Sequence, residues 1–294
     1  MKKKIAFIIN PISGTVKKET LPELINKELD STLFESDIQF TKYKGHGSEL
    51  ARMYKNEGYD FVVAVGGDGT VNEIARELIH TNISLGIIPI GSGNGLAHHL
   101  GISMTPKKAI RDLNHSEPIL IDYGIVNNHL FFCTCGTGFD AYVSMEFAKG
   151  NKRGIISYIE KIITGYFSYK PQNCHLTGDG IDLRSKAFIL TFANAGQWGN
   201  NAYIAPQASV QDGKVDISIM SSFPIIAIPT LALQLFTKTI DNDLFMTTLR
   251  ATEVTLMRDE SGPFHFDGEP YAEGKEIHVK MIPDGLKVLV KKRF

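Results

Sequence analysis

The residues best suited to chemistry lie in a glycine-rich segment, Gly66-Gly67-Asp68-Gly69-Thr70, which follows the apolar run Phe61 to Val65. Its glycines let the backbone turn sharply and aim several N–H groups at one point, which suits an anion. Thr70 and Glu73 have the spacing of a capping box, so we expect a helix to begin here with its N-terminal amides facing the loop. The segment therefore predicts a phosphate site.

Asp68 is the unexpected residue of this segment, because a bare carboxylate repels phosphate. Its presence indicates that a cation or a hydroxyl group enters the site together with the phosphate. The chain has no glycine-rich loop that ends in Gly-Lys-Ser or Gly-Lys-Thr, so no lysine is placed as in P-loop enzymes. The chemistry that these residues favour is phosphoryl transfer, which needs positioning, charge neutralisation and an aligned hydroxyl.

Two further loops have the same character. Asn10 to Gly14 follows the apolar run Ile5 to Ile9, and Gly91 to Gly95 follows the run Leu85 to Ile90. Short continuous apolar runs are typical of strands buried on both faces of a parallel sheet, and ligands bind at the carboxyl ends of such strands. The three loops are therefore predicted to form one concave polar edge.

The elements that must position these loops alternate between strand and helix over residues 1–122. Helical patterns occupy Thr20 to Leu29, Gly47 to Glu57 and Val71 to Ile79. Strands that alternate with helices and end in glycine loops predict an open, mainly parallel α/β sheet. We interpret residues 1–122 as a nucleotide-binding domain.

Residues 123–294 show a different pattern, in which strands dominate. A helix is expected over Ile155 to Phe167, and Asn127-Asn128 and Pro283-Asp284-Gly285 have the composition of hairpin turns. The predicted strands are Gly124 to Val126, Leu130 to Cys135, Lys186 to Phe192, Val215 to Met220, Glu253 to Met257, Glu276 to Ile282 and Leu286 to Val290. We expect a mostly antiparallel, β-sandwich-like domain here.

Composition excludes several classes of protein. A net charge of −1 and no basic surplus argue against a nucleic-acid binder. The three cysteines are too few for a disulfide scaffold and are expected to be reduced thiols in the core. The first apolar run is far shorter than that of a signal peptide, so we expect a cytoplasmic protein.

One uncharged stretch, Ile217 to Thr237, has the length of a membrane span. Pro224 and Pro229 interrupt it, and its first residues alternate like a strand. We expect a strand, a turn and then a buried or interfacial helix from about Pro224 to Phe236, with no transmembrane segment.

Together the three loops resemble the diacylglycerol kinase catalytic domain superfamily, which includes bacterial lipid kinases and sphingosine kinases. The similarity spans nearly the whole chain. It continues through Gly138-Phe139-Asp140-Ala141, Ala205-Pro206, Asp212 to Asp216 and Phe266-Asp267-Gly268-Glu269-Pro270. It implies an α/β nucleotide domain, a β-sandwich-like domain and an active site in the cleft between them.

The resemblance implies roles for individual residues. The nucleotide site would comprise Asn10, Pro11, Ser13, Gly14, Thr41, Gly66, Gly67, Asp68, Gly69, Thr70, Asn72, Glu73, Gly91, Ser92, Gly93 and Asn94. The catalytic residues would be Glu269, Asp68 and Asp267, with Glu269 as the base that accepts the lipid proton. Asp140 would hold the polar head of the lipid. A structural Mg²⁺ would lie at Asp212, with backbone oxygens near Ser209 and Lys214.

The sequence leaves several alternatives open. Asp68 and Glu269 can each serve as the base or hold the catalytic Mg²⁺. Gly91-Ser92-Gly93-Asn94-Gly95 departs from the Gly-Thr-Gly-Asn-Asp of bacterial diacylglycerol kinases towards sphingosine kinases, so the acceptor lipid is undecided.

The leading hypothesis is an ATP- and Mg²⁺-dependent kinase that phosphorylates a hydroxyl of diacylglycerol or a sphingoid base. Such an enzyme would make transient contact with a membrane surface, and its oligomeric state, a homodimer included, stays open. The alternatives are an NAD kinase-like enzyme and a non-catalytic nucleotide- or lipid-binding protein of the same fold.

Overall fold

The computed structural model describes residues 2–14, 18–149 and 164–292. The chain forms two units. The first comprises Met1–Asp122 together with Pro283–Phe294, and the second comprises Tyr123–Ile282. Residues 283–294, which the sequence analysis assigned to the second domain, thus belong to the first unit.

The first unit contains a parallel sheet built from the apolar runs. Its strands are β1 (Lys3–Ile9), β2 (Phe34–Phe40), β3 (Phe61–Gly66) and β4 (Ser84–Pro89), in the order β2-β1-β3-β4. Neighbouring strands in this order are parallel. Every residue of β3 and β4 is buried, as continuous apolar runs predict.

The helices of the first unit follow the strands in sequence. They are α1 (Leu21–Glu28), α2 (His46–Asn56), α3 (Asp68–Leu78), α4 (Gly95–His99) and α5 (Pro106–Leu113). A buried cluster joins the sheet to α1 and α5 and includes Phe7, Ile25, Val63 and Ile110. The expected α/β class is confirmed, and this architecture brings the carboxyl ends of β1, β3 and β4 to one edge.

The predicted hairpin at Pro283-Asp284-Gly285 is wrong. These residues lie inside one long strand, β18 (Glu276–Lys291). The backbone N–H of Asp284 donates to Oδ1 of the buried Asp122 (2.9 Å), and the carbonyl of Gly285 accepts from the N–H of His80 (2.8 Å). Since these backbone groups bond to other parts of the first unit, the chain does not fold back. It continues parallel to β4, with Val288 opposite Leu85.

The second unit is a β-sandwich of antiparallel strands, as expected. Two strands are shared between the units: β5 (Ser116–Val126) begins in the first unit, and the first half of β18 lies in the second. The other strands of the second unit are β6 (His129–Phe131), β7 (Thr134–Gly138), β8 (Gln172–Gly178), β9 (Ile181–Ala187), β10 (Ile189–Ala193), β11 (Gln197–Gly199), β12 (Ala202–Tyr203), β13 (Val215–Met220), β14 (Met246–Ala251), β15 (Glu253–Arg258), β16 (Gly262–Phe266) and β17 (Glu269–Glu273).

Two sheets face each other in this unit. One has the order β14-β13-β10-β7-β16-β17, and the other contains β15, β8 and β9 beside the first half of β18. The core between them draws on both, for example Phe192 and Ile217 from the first and Leu256 from the second. The cysteines Cys133, Cys135 and Cys174 are buried thiols, which confirms the expectation of core thiols.

Helices described in the second unit include α6 (Phe139–Lys149) and α7 (Ile228–Thr237), the latter preceded by a 3₁₀ turn at Ile225–Ala227. Strand β13, a turn and then α7 confirm the prediction for the uncharged stretch. Residues 164–168 are helical, and the remainder of the helix predicted over Ile155 to Phe167 lies outside the described residues. Within the described ranges, no helix has both the length and the apolar character to cross a membrane.

Candidate functional site

The three glycine loops approach one another at the carboxyl edge of the parallel sheet. A Cβ atom built on Gly14 would lie 1.6 Å from the carbonyl oxygen of Ile90, and one on Gly91 would lie 2.5 Å from Cα of Gly67. A Cβ on Gly67 would come within 3.3 Å of Oγ of Ser13. A side chain at Gly14 or Gly91 would collide with backbone atoms, so the first loop contacts the third, and the third contacts the second. The loops therefore share one edge of the sheet, and their role as a phosphate site stays a prediction.

Asn10 connects the first loop to the second. Its side-chain N–H donates to Oγ1 of the buried Thr70 (2.9 Å), and its Oδ1 accepts from the N–H of Ile12 (3.1 Å). A Cβ on Gly66 would lie 2.4 Å from the same Thr70 oxygen. The buried Thr70 hydroxyl thus connects the first loop to the second through its hydrogen bond with Asn10.

The predicted capping box is wrong. Helix α3 begins at Asp68 with Gly67 at its N-cap, so Thr70 lies inside the first turn. Glu73 instead accepts at Oε1 from the N–H of Gly45, the N-cap residue of α2 (2.9 Å). The N–H groups at the start of α3 lack a side-chain cap, and they follow directly on the glycine loop.

Asp68 joins the second loop to the third. Its Oδ2 accepts from the N–H of Asn94 and its Oδ1 from the N–H of Gly95, each at 2.7 Å. These two amides begin α4, so the carboxylate caps that helix. The amides of the neighbouring loop thus satisfy part of the charge of this carboxylate, which lies in a loop predicted to bind phosphate.

Asn94 gives the third loop its shape. It adopts a left-handed conformation (φ 52°), and its side chain both accepts from the N–H of Gly91 (3.1 Å) and donates to the carbonyl of Gly91 (2.9 Å). Ser92, between them, is exposed. The loop is therefore rigid at its base and presents a hydroxyl at its tip.

The other residues predicted for the nucleotide site occupy varied positions. Pro11 is exposed beside the first loop, and Thr41 directly follows β2, its N–H donating to the carbonyl of Ile9 (2.9 Å). Gly93 is half-buried in the third loop, and Gly69 lies in the first turn of α3. Asn72 is buried and bonds through its side chain to Arg76 one turn further along α3.

In the second unit, Asp267 holds a tight turn. Asp267 and Gly268 both have positive φ (49° and 85°) between the paired residues Phe266 and Glu269, which is the geometry of a type I′ hairpin turn. The N–H groups of Phe132, Cys133 and Thr134 donate to the Asp267 carboxylate at 2.8–3.1 Å. The predicted strand Leu130 to Cys135 is interrupted here because its amides bind this carboxylate.

Glu269 follows that turn as the first residue of β17. It is half-buried, and Oη of Tyr271 lies 3.5 Å from its Oε2. Of the two carboxylates of this motif, Asp267 is therefore committed to three backbone amides, while Glu269 keeps contact with solvent. The catalytic roles expected of Asp267 and Glu269 stay predictions.

Asp140, the predicted lipid-head residue, forms a pair with His265. Nε2 of His265 lies 3.0 Å from Oδ2 of Asp140, and His265 is 4% exposed. Burial, with the negative charge of Asp140 as a further cause, raises the pKa of Tyr169 to about 12. Sequence reasoning missed His265, although its position directly before the motif Phe266-Asp267-Gly268-Glu269-Pro270 was a usable signal.

The residues expected to hold a structural Mg²⁺ do not fit that ion. Asp212 is the expected side-chain ligand, and both its oxygens are engaged: Oδ1 accepts from the N–H of Lys214 (3.1 Å), and the other oxygen pairs with the guanidinium of Arg250. Nε of Arg250 also pairs with Asp216 at 3.2 Å. Within residues 2–14, 18–149 and 164–292, no three His, Cys, Asp or Glu side chains cluster as metal ligands.

Comparison with known proteins agrees with both units. Residues 4–126 match the diacylglycerol kinase catalytic domain, and residues 133–290 match the YegS C-terminal NAD kinase beta sandwich-like domain. A "Probable lipid kinase YegS-like" of Yersinia enterocolitica is 27% identical over 248 residues, covering 81% of this chain and 82% of its own. A "Probable lipid kinase YegS" of Escherichia coli is 26% identical over 257 residues, covering 85% and 84%.

Solved structures share the fold. A diacylglycerol kinase from Bacillus anthracis has a TM-score of 0.74 at 18% identity and covers 98% of this chain and 97% of its own. An NAD kinase from Archaeoglobus fulgidus in complex with ATP has a TM-score of 0.54 at 14% identity and covers 98% and 94%.

The matched domains and the relatives together place the chain among lipid kinases. The chain belongs to the family defined by the YegS C-terminal NAD kinase beta sandwich-like domain, whose model matches residues 133–290, and its residues 4–126 match the diacylglycerol kinase catalytic domain.

Proposed function

We propose that the protein transfers the γ-phosphoryl group of ATP to a hydroxyl of a membrane-derived lipid, either diacylglycerol or a sphingoid base. The observation that carries the proposal is the contact among the three glycine loops, where added Cβ atoms would collide with backbone atoms. Such a surface of backbone N–H groups at the start of a helix is suited to polyphosphate. The relatives are described as lipid kinases, and one structural neighbour was solved with ATP.

The nucleotide phosphates would bind to the amides of residues 66–70, with the Ser13 and Ser92 hydroxyls as further donors. Mg²⁺ that arrives with ATP would neutralise phosphate charge, and Asp68 is the carboxylate of this loop that would hold it through water. The roles of Thr70 and Asn94 are to keep the loops in shape, since their side chains already bond to Asn10 and Gly91.

Glu269 is the better candidate for the base. Both oxygens of Asp68 accept backbone N–H groups at 2.7 Å, and hydrogen bonds to the charged form of a carboxylate make it less basic. Glu269 would take the proton from the lipid hydroxyl. The hydroxyl oxygen then forms a bond to the γ-phosphorus as the bond between that phosphorus and the β–γ bridging oxygen breaks, which releases ADP.

Asp140 and His265 would hold the polar head of the lipid. Oδ1 of Asp140 and Nδ1 of His265 are buried with no hydrogen-bond partner among the described residues, so the pair has unused polar capacity. Aromatic rings pack beside it: the centroid of Phe139 lies 5.8 Å from that of Tyr169 and 4.8 Å from that of Phe188. A polar pair next to an aromatic cluster suits a molecule with a polar head and an apolar chain.

Contact with the bilayer would use an exposed apolar surface around α7. Six large apolar side chains of this region are 38–83% exposed: Ile225, Ile226, Ile228, Leu233, Phe236 and Leu244. Leu231 is buried on the opposite side of α7 and anchors the helix to its own unit. A lipid acceptor would explain why these apolar side chains are exposed, because an exposed apolar patch otherwise favours aggregation.

The test is transfer of labelled phosphate from ATP to a panel containing diacylglycerol, sphingosine and NAD, with Glu269→Gln beside wild type. We expect labelling of one lipid class. The variant should lose about 100-fold or more in kcat, with unchanged KM for ATP and unchanged Tm, because only the proton acceptor is altered. Glu260→Gln, a change at an exposed glutamate, should behave as wild type.

The outcomes separate the rival functions. Labelling of NAD rather than lipid would establish the NAD kinase alternative. Tight binding of an ATP analogue without transfer to any acceptor would indicate a non-catalytic binding protein. Full activity of Glu269→Gln would exclude Glu269 as the base, and Asp68→Asn would then be tested next.

A further inference from the structure

Arg250 lies between two carboxylates in the second unit. It is directly opposite Asp216 in the pairing of β13 with β14, and its Nε contacts Oδ1 of Asp216 at 3.2 Å. Its Nη2 pairs with Oδ2 of Asp212, in the loop that precedes β13. One guanidinium therefore bridges a loop carboxylate and a strand carboxylate.

The loop depends on this bridge. The N–H of Lys214 donates to Oδ1 of Asp212 (3.1 Å), and Gly213 adopts a positive φ of 68°, so Asp212 closes a tight local turn. Asp216 is buried and its Oδ2 has no partner among the described residues. Without Arg250, the exposed Asp212 and the buried Asp216 would be neighbouring carboxylates with no positive charge between them.

A divalent cation would need the same oxygens that Arg250 uses. Mg²⁺ requires near-octahedral oxygen coordination at about 2.0–2.1 Å, and Asp212 offers one oxygen to Arg250 and the other to a backbone amide. The planar, permanently charged guanidinium can serve two carboxylates at once through its fixed fork of N–H groups. The Arg250 guanidinium and a divalent cation are therefore alternative partners of the Asp212 carboxylate.

We propose that Arg250 supplies, from within the chain, the positive charge that a structural divalent cation would bring to the Asp212 loop, so that the protein keeps this loop in place without a metal ion. The proposal is independent of the lipid kinase activity, because it concerns the folded state of the second unit. Any Mg²⁺ requirement of the reaction then belongs to the nucleotide alone.

The test compares thermal unfolding of nucleotide-free protein in EDTA and in millimolar Mg²⁺. Wild type should show the same Tm in both within about 1 °C. Arg250→Met should lower Tm in EDTA by about 3–6 °C, because it leaves the carboxylates unpaired, and Mg²⁺ should restore at least half of that loss. Arg250→Lys should remain indifferent to Mg²⁺.

Two controls keep the result specific. Arg52→Met removes an exposed arginine from its pair with Glu77 and should change Tm by less than about 1 °C, with or without Mg²⁺. Binding of Mn²⁺ to nucleotide-free wild type is followed by electron paramagnetic resonance. Mn²⁺ binding that Asp212→Asn abolishes, a fall in wild-type Tm in EDTA, or an Arg250→Met variant as stable as wild type would each overturn the proposal.

Discussion

At the scale of single residues, two carboxylates of the candidate site are bound by backbone amides. Asp68 accepts two amide N–H groups and Asp267 accepts three. In each case the acid that looks catalytic in the sequence organises the backbone around it. The sequence could not distinguish these roles, because the amide donors come from residues 26 or more positions away.

The close approach of the loops leads to a prediction at Gly14. Gly14→Ala should weaken binding of a non-hydrolysable ATP analogue by about tenfold or more, because the new Cβ would collide with the carbonyl of Ile90. Isothermal titration calorimetry measures the change.

Gly58→Ala is the matched control for this substitution. Gly58 also has a positive φ (72° against 60° at Gly14), but a Cβ there would meet no atom within 4 Å. Both variants should lose about 1–2 kcal/mol of stability from the left-handed conformation. Equal ATP affinity in the two variants would show that contact between the loops does not shape the nucleotide site.

At the scale of elements, the sequence pattern located most strands and helices of the first unit. Predicted strand Phe61 to Val65 became β3 (Phe61–Gly66), and predicted helix Gly47 to Glu57 became α2 (His46–Asn56). Apolar periodicity is local and strong in these segments. Helix α3, by contrast, starts three residues before the expected Val71, because the Glu73 side chain that suggested a cap binds α2 instead.

The second unit was harder to predict, because its strand ends depend on contacts distant in sequence. Predicted strand Lys186 to Phe192 is divided between β9 and β10 at Phe188, whose N–H donates to the carbonyl of Met220 and whose carbonyl accepts from the N–H of Phe139. Strand β16 carries His265 and leads to the Asp267 turn, and it has no strong pattern of its own.

The turn between β16 and β17 leads to a prediction at Asp267. Asp267→Asn should lower the free energy of unfolding by about 1–3 kcal/mol, because one carboxylate oxygen becomes an N–H group that faces amide donors. The kcat for phosphoryl transfer should fall together with stability. Urea unfolding and steady-state kinetics measure the two effects.

Asp179→Asn provides a matched control for that prediction. Asp179 and Gly180 also have positive φ (52° and 80°) between paired residues Gly178 and Ile181, and the Asp179 carboxylate accepts one backbone N–H, from Thr252. Asparagine is favoured in type I′ turns, so neither substitution disturbs the turn itself. If Asp267→Asn costs no more than Asp179→Asn and leaves kcat intact, Asp267 has no positioning role.

At the scale of the whole molecule, a net charge of −1 gives little long-range attraction to an anionic surface. Membrane contact would therefore depend on apolar side chains. The double variant Leu233→Ser, Phe236→Ser should bind lipid vesicles about 10–100-fold more weakly than wild type, because both side chains are largely exposed and would enter the bilayer. Vesicle co-sedimentation measures this binding.

The same variant should retain activity on a dispersed short-chain lipid, since neither side chain belongs to the nucleotide loops. Leu33→Ser, which removes an exposed leucine from the first unit, should leave vesicle binding unchanged. Wild-type vesicle binding by the double variant would mean that α7 is not the membrane-contacting element.

Strand β18 also affects how the protein can be synthesised. The first unit is not one continuous segment, because residues 283–291 complete its sheet beside β4. While a ribosome is still translating the second unit, the edge of β4 that later pairs with β18 is unpaired. Unpaired strand edges can pair with other chains. The first unit therefore completes its sheet only after the second unit has been translated.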